Sequence, residues 1–250
     1  SDRGHVLLGA MVSETRVEWL KRLKIIYLEH SGFLIEGEKE ACLFDYWKGN
    51  LPDVTGKKLY VFASHAHHDH FNPEIFRLGK ENREVFYILS RDINLSPGRM
   101  TQYGIGAEQK DRILRVGSRK HYEPGGLAVD TFRSTDAGVA FAVKLEGRWI
   151  YHAGDLNWWT WQGEESEGEY RDMTARFQEE IQRIAGYSFA LSMLPLDPRQ
   201  GERFYWGFDY FMRHVETEMA VAMHCWGDDS VTERLKKGEV AEPCRDRICS

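Results

Sequence analysis

Short apolar runs separated by glycine and polar residues occupy the first two thirds of the chain. One strand pair is predicted at 24–36, broken at Ser31-Gly32, and a third strand at 40–46. Short strands joined by glycine turns favour an antiparallel start to a β-sheet. Further apolar or alternating runs predict strands at 59–63, 85–89, 112–116, 127–132, 139–145 and 149–152.

Helical periodicity becomes prominent after residue 170. Met173, Phe177, Ile181 and Ile184 follow one another at offsets of four, four and three, which predicts an amphipathic helix at 171–185. Strands at 189–194 and 219–223 alternate with helices at 206–215 and 231–237. An earlier helix is predicted at 73–80, and 93–106 is predicted to be a loop. This order is typical of an α/β protein in four layers, an αββα sandwich of two mixed sheets flanked by helices.

Composition narrows the class of protein. The chain has 250 residues, 42% of them hydrophobic, which fits one domain over 1–250, with 1–16 expected to be poorly ordered or foreign to it. A net charge of −6 gives no basic field for nucleic acid, so a nucleic-acid partner is not expected. Four cysteines are too few for a disulfide scaffold. No apolar run approaches the roughly 18 residues of a membrane span, and we expect a cytoplasmic protein with no membrane partner.

A cluster of histidines directly follows the apolar run 59–63. It reads Ser64-His65-Ala66-His67-His68-Asp69-His70. Histidine is the commonest metal ligand among side chains, and clustered His and Asp at short spacing indicate a metal site. His65 and His67, two residues apart at a strand end, can project to one side and share a first metal. Asp69 and His70 can serve a second metal, whereas His68 is expected to support the site or face outward.

The order of these residues resembles the metallo-β-lactamase fold superfamily. His65, His67, Asp69 and His70 fit the pattern H-x-H-x-D-H, and the chain later has Gly154-Asp155 and a strand-end His224. The resemblance runs from about residue 24 to about residue 226. The wording from Tyr151 to Asp155 looks most like the branch that includes ascorbate-6-phosphate lactonase and related uncharacterised hydrolases.

The resemblance implies two divalent metal ions, zinc in the first place, and a small-molecule substrate. Asp155 would bridge the two cations and His224 would complete the second site. A pair of cations would lower the pKa of a shared water and create a hydroxide nucleophile at neutral pH. Asp69 would be catalytic, because it would orient that water and pass a proton to the leaving group.

The chain departs from the family at one ligand of the first metal. Members usually supply a third histidine from the loop before Gly-Asp, but the segment 132–138 has none and Ser134 stands in its place. Three alternatives are open. Either Asp136 takes the place of this histidine, or His121 reaches the site from an earlier loop, or the first site has one ligand fewer. We favour Asp136, whose carboxylate would shift the preference from Zn²⁺ towards Mn²⁺ or Fe²⁺.

Several residues outside the motif are candidates for supporting or substrate roles. Asp45 is expected to support a metal-bound histidine, with a solvated loop acid as the alternative. His30 and His152 either orient a ligand through the second ring nitrogen or are hydrogen-bonded sheet histidines. Trp158, in a tryptophan-rich segment after Asp155, either lines a substrate wall or anchors the core. Arg199 either binds a phosphate or carboxylate or is merely solvated.

Three functions compete on these residues. The first is a metal-dependent hydrolase of a small ester, lactone or phosphorylated metabolite. The second is a nuclease or phosphodiesterase of the same fold, which would need a basic arm, and the chain has no long Lys/Arg-rich insertion. The third is a non-catalytic metal or ligand sensor, which the missing third histidine makes conceivable. A flavodiiron-type oxidoreductase is also conceivable, but the flavodoxin-like domain of such a protein is not expected in this sequence.

Overall fold

The computed structural model describes residues 23–51, 53–54, 56–80 and 84–249. Residues 1–16 lie outside the described residues. So does the segment 17–23, apart from Leu23, where the mixed charged and apolar residues predict a strand or a short helix.

Six strands form the first sheet, in the order in which they occur along the chain. Pairing is antiparallel from β1 to β3, as the glycine turns predicted, and parallel from β3 to β6. The strands are β1 (Lys24–Tyr27), β2 (Phe33–Glu36), β3 (Glu40–Phe44), β4 (Lys58–Ala63), β5 (Val85–Ser90) and β6 (Ile113–Val116).

Seven strands form the second sheet, which again pairs antiparallel among its first strands and parallel among its later ones. It runs β13-β12-β11-β10-β9-β8-β7, antiparallel between β7 and β10 and parallel between β10 and β13. The strands are β7 (His121–Tyr122), β8 (Val129–Arg133), β9 (Val139–Leu145), β10 (Arg148–His152), β11 (Ser188–Pro195), β12 (Glu216–Met223) and β13 (Ile248–Cys249).

Helices connect the parallel strands. The α-helices are α1 (Pro97–Gln102), α2 (Ala107–Lys110), α3 (Glu167–Ile184), α4 (Trp206–His214) and α5 (Ser230–Lys237). Short 3-10 helices lie at Pro73–Lys80, Pro124–Gly126, Pro198–Arg203, Glu239–Ala241 and Arg245–Arg247. The loop prediction for 93–106 is wrong over α1, because the Ser96 side chain accepts a hydrogen bond from Arg99 N and Pro97 occupies the first turn.

The hydrophobic core lies in two layers, because successive side chains of a strand point to opposite faces of the sheet. Phe33 and Ile35 face the larger cluster between the two sheets, whereas Leu34 between them faces a smaller cluster on the outer side of the first sheet. Both faces of the central strands are therefore buried, as the predicted αββα sandwich requires. The larger cluster also contains Phe177 of α3 and Phe211 of α4.

Loops at the carboxyl ends of the parallel strands carry the polar residues of interest. Asp45 follows β3, His65 follows β4, Asp155 follows β10 and His224 follows β12. Parallel strands end at a common edge of their sheet, so this topology gathers side chains that are far apart in sequence.

Candidate metal centre

Two groups of potential ligands meet at this edge. Within each group, the ligand atoms lie within 4.8 Å of one another. The His65 group consists of His65, His67, Asp136 and Asp155. The His70 group consists of His30, Asp69, His70 and His224.

Asp155 joins the two groups. Its Oδ2 lies 3.1 Å from His65 Nε2, and its Oδ1 lies 3.0 Å from His70 Nε2 and 3.1 Å from His224 Nε2. Asp69 adds a second carboxylate, with Oδ2 3.2 Å from His70 Nε2 and 3.8 Å from His224 Nε2. The structure therefore brings together residues between positions 65 and 224 around one buried carboxylate.

Hydrogen bonds on the far side of each ring fix the tautomers of the buried histidines. His70 Nδ1 lies 2.7 Å from Asp45 Oδ2, and His224 Nδ1 lies 3.0 Å from Asp197 Oδ2. Because an ionised carboxylate only accepts, each Nδ1 carries the proton and each Nε2 presents a lone pair.

His65 reaches the same state through a hydroxyl. Ser64 Oγ donates its proton to Asp45 Oδ2 at 2.6 Å. Because Ser64 Oγ then has only lone pairs to offer His65, His65 Nδ1 donates to Ser64 Oγ at 2.9 Å. Asp45 therefore orients both His65, through Ser64, and His70 directly.

The fit to a metal follows from this arrangement of lone pairs. The Nε2 atoms of His65, His70 and His224 and the Oδ1 of Asp155 are buried without a hydrogen-bond partner among the described residues. Buried acceptors that face one another repel and cost free energy unless a cation or a proton lies between them. Neutral imidazole nitrogens and carboxylate oxygens are the donor set of Zn²⁺ and related divalent ions, so these residues fit a metal.

The same contacts shift the pKa values of the side chains in the cluster. Burial alone would raise the pKa of Asp155, but its contacts with His224, His65 and His70 hold it well below the usual range. Burial alone would lower the pKa of His70, but the contacts with Asp155, Asp45 and Asp69 raise it well above the usual range. The carboxylates around this ring therefore favour positive charge at the place that its Nε2 faces.

His30 contacts a carboxylate of the site, and unlike the histidines that face Asp155, it does not present an Nε2 lone pair. Its Nε2 lies 2.9 Å from Asp69 Oδ2 and donates to it, since the carboxylate has no proton to give. The backbone joins the two loops as well, because His224 N donates to His30 O at 3.0 Å.

The open side of the centre lies at His67 and Asp136. Both side chains are about half exposed, at 54% and 48%, and His67 Nδ1 lies 3.9 Å from Asp136 Oδ2. Burial and the nearby charge of Asp155 raise the pKa of Asp136. His121, the other candidate for the missing ligand, is exposed and bonds to Asp130 and Glu123, outside both groups. Of the two candidates, only Asp136 lies beside His67.

The loops of the site are held in a strained backbone conformation. His30, Asp45, His224 and Trp226 all have positive φ, between 44° and 60°, which non-glycine residues rarely adopt. Gly154, next to Asp155, has a positive φ of 54° as well. A Cβ added to Gly154 would lie 2.8 Å from Ser64 Cβ. The surrounding structure must hold these loops in a conformation that is otherwise rare.

Two other predicted residues lie at the margins. His152 uses both ring nitrogens on backbone, accepting from Gly154 N at 3.0 Å and donating to Ser31 O at 2.9 Å. Trp158 packs against Phe177 and Trp206, and its indole N–H donates to Thr174, so it anchors the two helices. The tryptophan nearest the site in that segment is Trp159, 5.5 Å from His224 between ring centroids.

Sequence reasoning missed Asp197, which holds His224 as Asp45 holds His70. Asp197 is fully buried at the end of β11 and also binds Arg199 and Trp226. The position of Asp197 could have indicated this role, because it follows a parallel strand at the same edge of the sheet as the other site carboxylates.

A four-layer sandwich with converging imidazoles and carboxylates at its strand ends defines the metallo-β-lactamase fold class. The chain belongs to the beta-lactamase superfamily, since the family model described as "Beta-lactamase superfamily domain" matches residues 24–167. This bears out the resemblance drawn from the histidine motif.

Curated relatives are named UPF0173 metal-dependent hydrolases. One from Pelotomaculum thermopropionicum is 25% identical over 141 residues, covering 53% of this chain and 62% of its own length. Another from Thermococcus kodakarensis is 28% identical over 149 residues, covering 53% and 61%. The chain thus spans about three fifths of the length of these relatives.

Solved structures show the same fold. A metallo hydrolase from Ignicoccus hospitalis aligns with a TM-score of 0.61 at 18% identity, covering 90% of this chain and 93% of that one. The diiron β-hydroxylase CmlA from Streptomyces venezuelae aligns with a TM-score of 0.52 at 11% identity, covering 80% and 44%. None of the helices in the described part of the chain is long and apolar enough to cross a membrane.

Proposed function

We propose that the protein is a metal-dependent hydrolase that cleaves a small ester, lactone or phosphorylated metabolite. The observation that carries the proposal is the convergence of three buried Nε2 lone pairs, from His65, His70 and His224, on the carboxylates of Asp155 and Asp69. The names of the curated relatives support the same reaction class.

Two divalent cations account for the two groups. His65, His67 and Asp136 would hold the first, Asp69, His70 and His224 the second, and Asp155 would serve both. When bound, such a pair acidifies water and polarises the attacked carbonyl or phosphoryl oxygen. Zinc suits the imidazoles, and the carboxylate of Asp136 adds hard oxygen character that also suits manganese or iron.

Asp69 is the proposed catalytic residue. Despite burial, the hydrogen bond from His30 and the contact with His70 hold its pKa below the usual carboxyl range, so it is ionised at neutral pH. An ionised carboxylate can orient the attacking water, accept its proton and return that proton to the leaving oxygen. His30 is a positioning residue here, because its Nε2–H bond aims the Asp69 carboxylate.

Three further residues position the imidazoles. Asp45 and Asp197 hold the Nδ1 protons of His70 and His224, and Ser64 connects Asp45 to His65. Such partners raise ligand basicity and keep each Nε2 lone pair directed into the site.

Metal analysis followed by a substrate panel tests the proposal. We expect about two divalent ions per chain and turnover of at least one class among neutral esters, lactones, phosphomonoesters and phosphodiesters. In protein loaded with excess metal, Asp69→Asn should reduce kcat by about a hundredfold or more. Turnover confined to phosphodiesters would favour the nuclease reading, and bound metal without turnover of any class would favour a sensor.

A further inference from the structure

An arginine lies between two tryptophans at the mouth of the metal centre. Arg199 is in the 3-10 helix Pro198–Arg203 that follows β11. Its guanidinium carbon is 4.6 Å from the centroid of Trp226 and 5.9 Å from that of Trp161. The side chain is 50% exposed, and Trp226 is the exposed large hydrophobic residue of the described chain.

Both tryptophans belong to the surroundings of the site. The Trp226 ring is 4.4 Å from the ring of His30 and 5.6 Å from that of His224. Trp161 stacks on Trp159 at 5.9 Å and 10°, and Trp159 donates to the carbonyl oxygen of Asp155 at 2.8 Å. Arg199 therefore lies beside the aromatic rings that surround the proposed ligands, within the electrostatic influence of Asp155 and Asp69.

Asp197 fixes the orientation of the guanidinium. Arg199 donates from Nε to both carboxylate oxygens at 3.0 Å and from Nη2 at 2.6 Å. The same carboxylate holds His224 Nδ1 and accepts from Trp226 Nε1 at 3.2 Å. One buried acid thus ties the arginine, a tryptophan and a proposed metal ligand into a single rigid unit.

One edge of the guanidinium is left for a ligand. The bonds to Asp197 use Nε and Nη2, and no described residue accepts a hydrogen bond from Nη1. A planar, weakly hydrated cation suits bidentate recognition of carboxylate or phosphate. The indole faces beside it add cation–π contacts that help to hold the guanidinium in place.

We propose that Arg199 and Trp226 form an oxyanion subsite that selects substrates with a carboxylate or phosphate group close to the bond that is cleaved. The inference rests on the proposed hydrolase function and narrows its substrate class. Arg199 here determines specificity and takes no part in the chemistry itself. A purely structural counter-ion of Asp197 would affect stability or metal content but not the choice between neutral and anionic substrates.

Two isosteric esters separate these roles. 4-Nitrophenyl butyrate is neutral, whereas 4-nitrophenyl hemisuccinate carries a carboxylate at the far end of a chain of similar length. In the metal-loaded protein, we expect Arg199→Gln to lower the ratio of kcat/KM for the hemisuccinate to kcat/KM for the butyrate about tenfold or more. Arg199→Lys, which keeps the charge but loses the fork, should retain part of the preference.

Arg203→Gln is the matched control. Arg203 lies in the same 3-10 helix, 4.6 Å over Trp206, and bonds to Glu165 and Thr160, away from the proposed ligands. This variant should leave both esters unaffected. Equal loss for both esters in Arg199→Gln, or no loss for either, would overturn the subsite while leaving the hydrolase proposal intact.

A binding measurement decides the case in which neither ester is cleaved. Tryptophan fluorescence, with Trp226 and Trp161 beside the arginine, reports titration with succinate or with inorganic phosphate. Binding of either anion that is about tenfold weaker in Arg199→Gln than in wild type and Arg203→Gln supports the subsite and identifies the preferred oxyanion. Equal affinities in all three proteins would refute it, and the absence of turnover would count separately against the hydrolase.

Discussion

The imidazoles of His65, His70 and His224 are each held at Nδ1 so that Nε2 faces inward, and Asp155 is the acid that all three share. Asp155→Asn replaces a shared anion with a neutral amide. Removal of a supporting partner typically costs 10–100-fold in metal affinity, so loss of this shared ligand should cost more than about a hundredfold. We expect fewer than one ion per chain after gel filtration, measured by mass spectrometry of the metal content.

His68→Ala is the control for that experiment. His68 belongs to the same histidine run, but it is exposed and contacts Trp47, outside both ligand groups. It should bind metal as the wild type does. Equal metal loss in both variants, or normal metal content in Asp155→Asn, would show that the ligand assignment is incorrect.

Asp197 gives a prediction on pH. Burial alone would raise the pKa of this carboxyl, but His224 and Arg199 lower it from 3.8 to about 2. A carboxyl with a lowered pKa stabilises the fold above pH 3.8 and loses that contribution as pH falls towards 2. In chelator, the loss of unfolding free energy in Asp197→Asn should therefore be smaller at pH 3 than at pH 6, by about 1 kcal/mol.

Asp209 provides the opposite sign as a control. Burial raises the pKa of this carboxyl in α4 above its usual value. Its ionised form is disfavoured by folding, so that stability is lost as pH rises. Urea unfolding of Asp209→Asn at the same two pH values should show a difference from wild type that moves in the other direction. A pH-independent effect of Asp197→Asn would contradict the assigned contacts.

At this scale the sequence predicted the residues that converge at the candidate site better than the partners that hold them. The H-x-H-x-D-H spacing is local, so His65, His67, Asp69 and His70 could be read directly. Asp197 could not, because its role depends on β11 lying beside β12 and ending level with His224. Trp158 and Trp159 are adjacent in sequence, and only the packing of α3 and α4 decides which ring faces the core.

Among the elements, the loop between β8 and β9 must approach β4 very closely. Gly138 has φ 74°, and a Cβ there would lie 1.8 Å from Ser64 O, the oxygen that accepts from Val139 N at 2.9 Å. Gly138→Ala should therefore displace the segment that carries Asp136 away from His65. We expect a loss of about 3 kcal/mol or more, combining left-handed strain with overpacking, and reduced metal content.

Gly147→Ala separates strain from collision. Gly147 lies in the hairpin between β9 and β10 with φ 86°, and an added Cβ would meet nothing within 4 Å. Its substitution should cost only the left-handed strain, about 1–2 kcal/mol, and leave the metal content intact. Thermal unfolding and metal analysis of the two variants make the comparison, and equal effects would argue against the close approach at Gly138.

Strand and helix predictions succeeded where periodicity was long and failed where it was short. The stripe from Met173 to Ile184 predicted α3, observed as Glu167–Ile184. By contrast β7 and β13 have two residues each, too few for an alternation to appear. The helix predicted at 73–80 is a 3-10 helix, a distinction that the apolar spacing does not encode.

For the whole molecule, the two sheets share one polar edge and one core. The first sheet supplies His65, Asp69 and His70, and the second supplies Asp155 and His224. Strand order within each sheet depends on contacts between distant segments, which no local pattern in the sequence records. The order of the family motifs indicated the strand order instead, because it implied a fold in which the strand ends at residues 65 and 224 lie close together.

A metal bound at this edge would therefore link the two sheets, and its removal should weaken the fold as a whole. A ligand at about a thousand times its Kd stabilises a protein by about 4 kcal/mol, which in a chain of this size raises Tm by about 10 °C. We expect calorimetry of the wild type to show a fall of this order with chelator and recovery with Zn²⁺ or Mn²⁺. Asp155→Asn should show a much smaller difference between the three conditions, because its affinity for the ions is reduced. A wild-type Tm that ignores both chelator and metal would mean that the buried lone pairs are satisfied by protons alone.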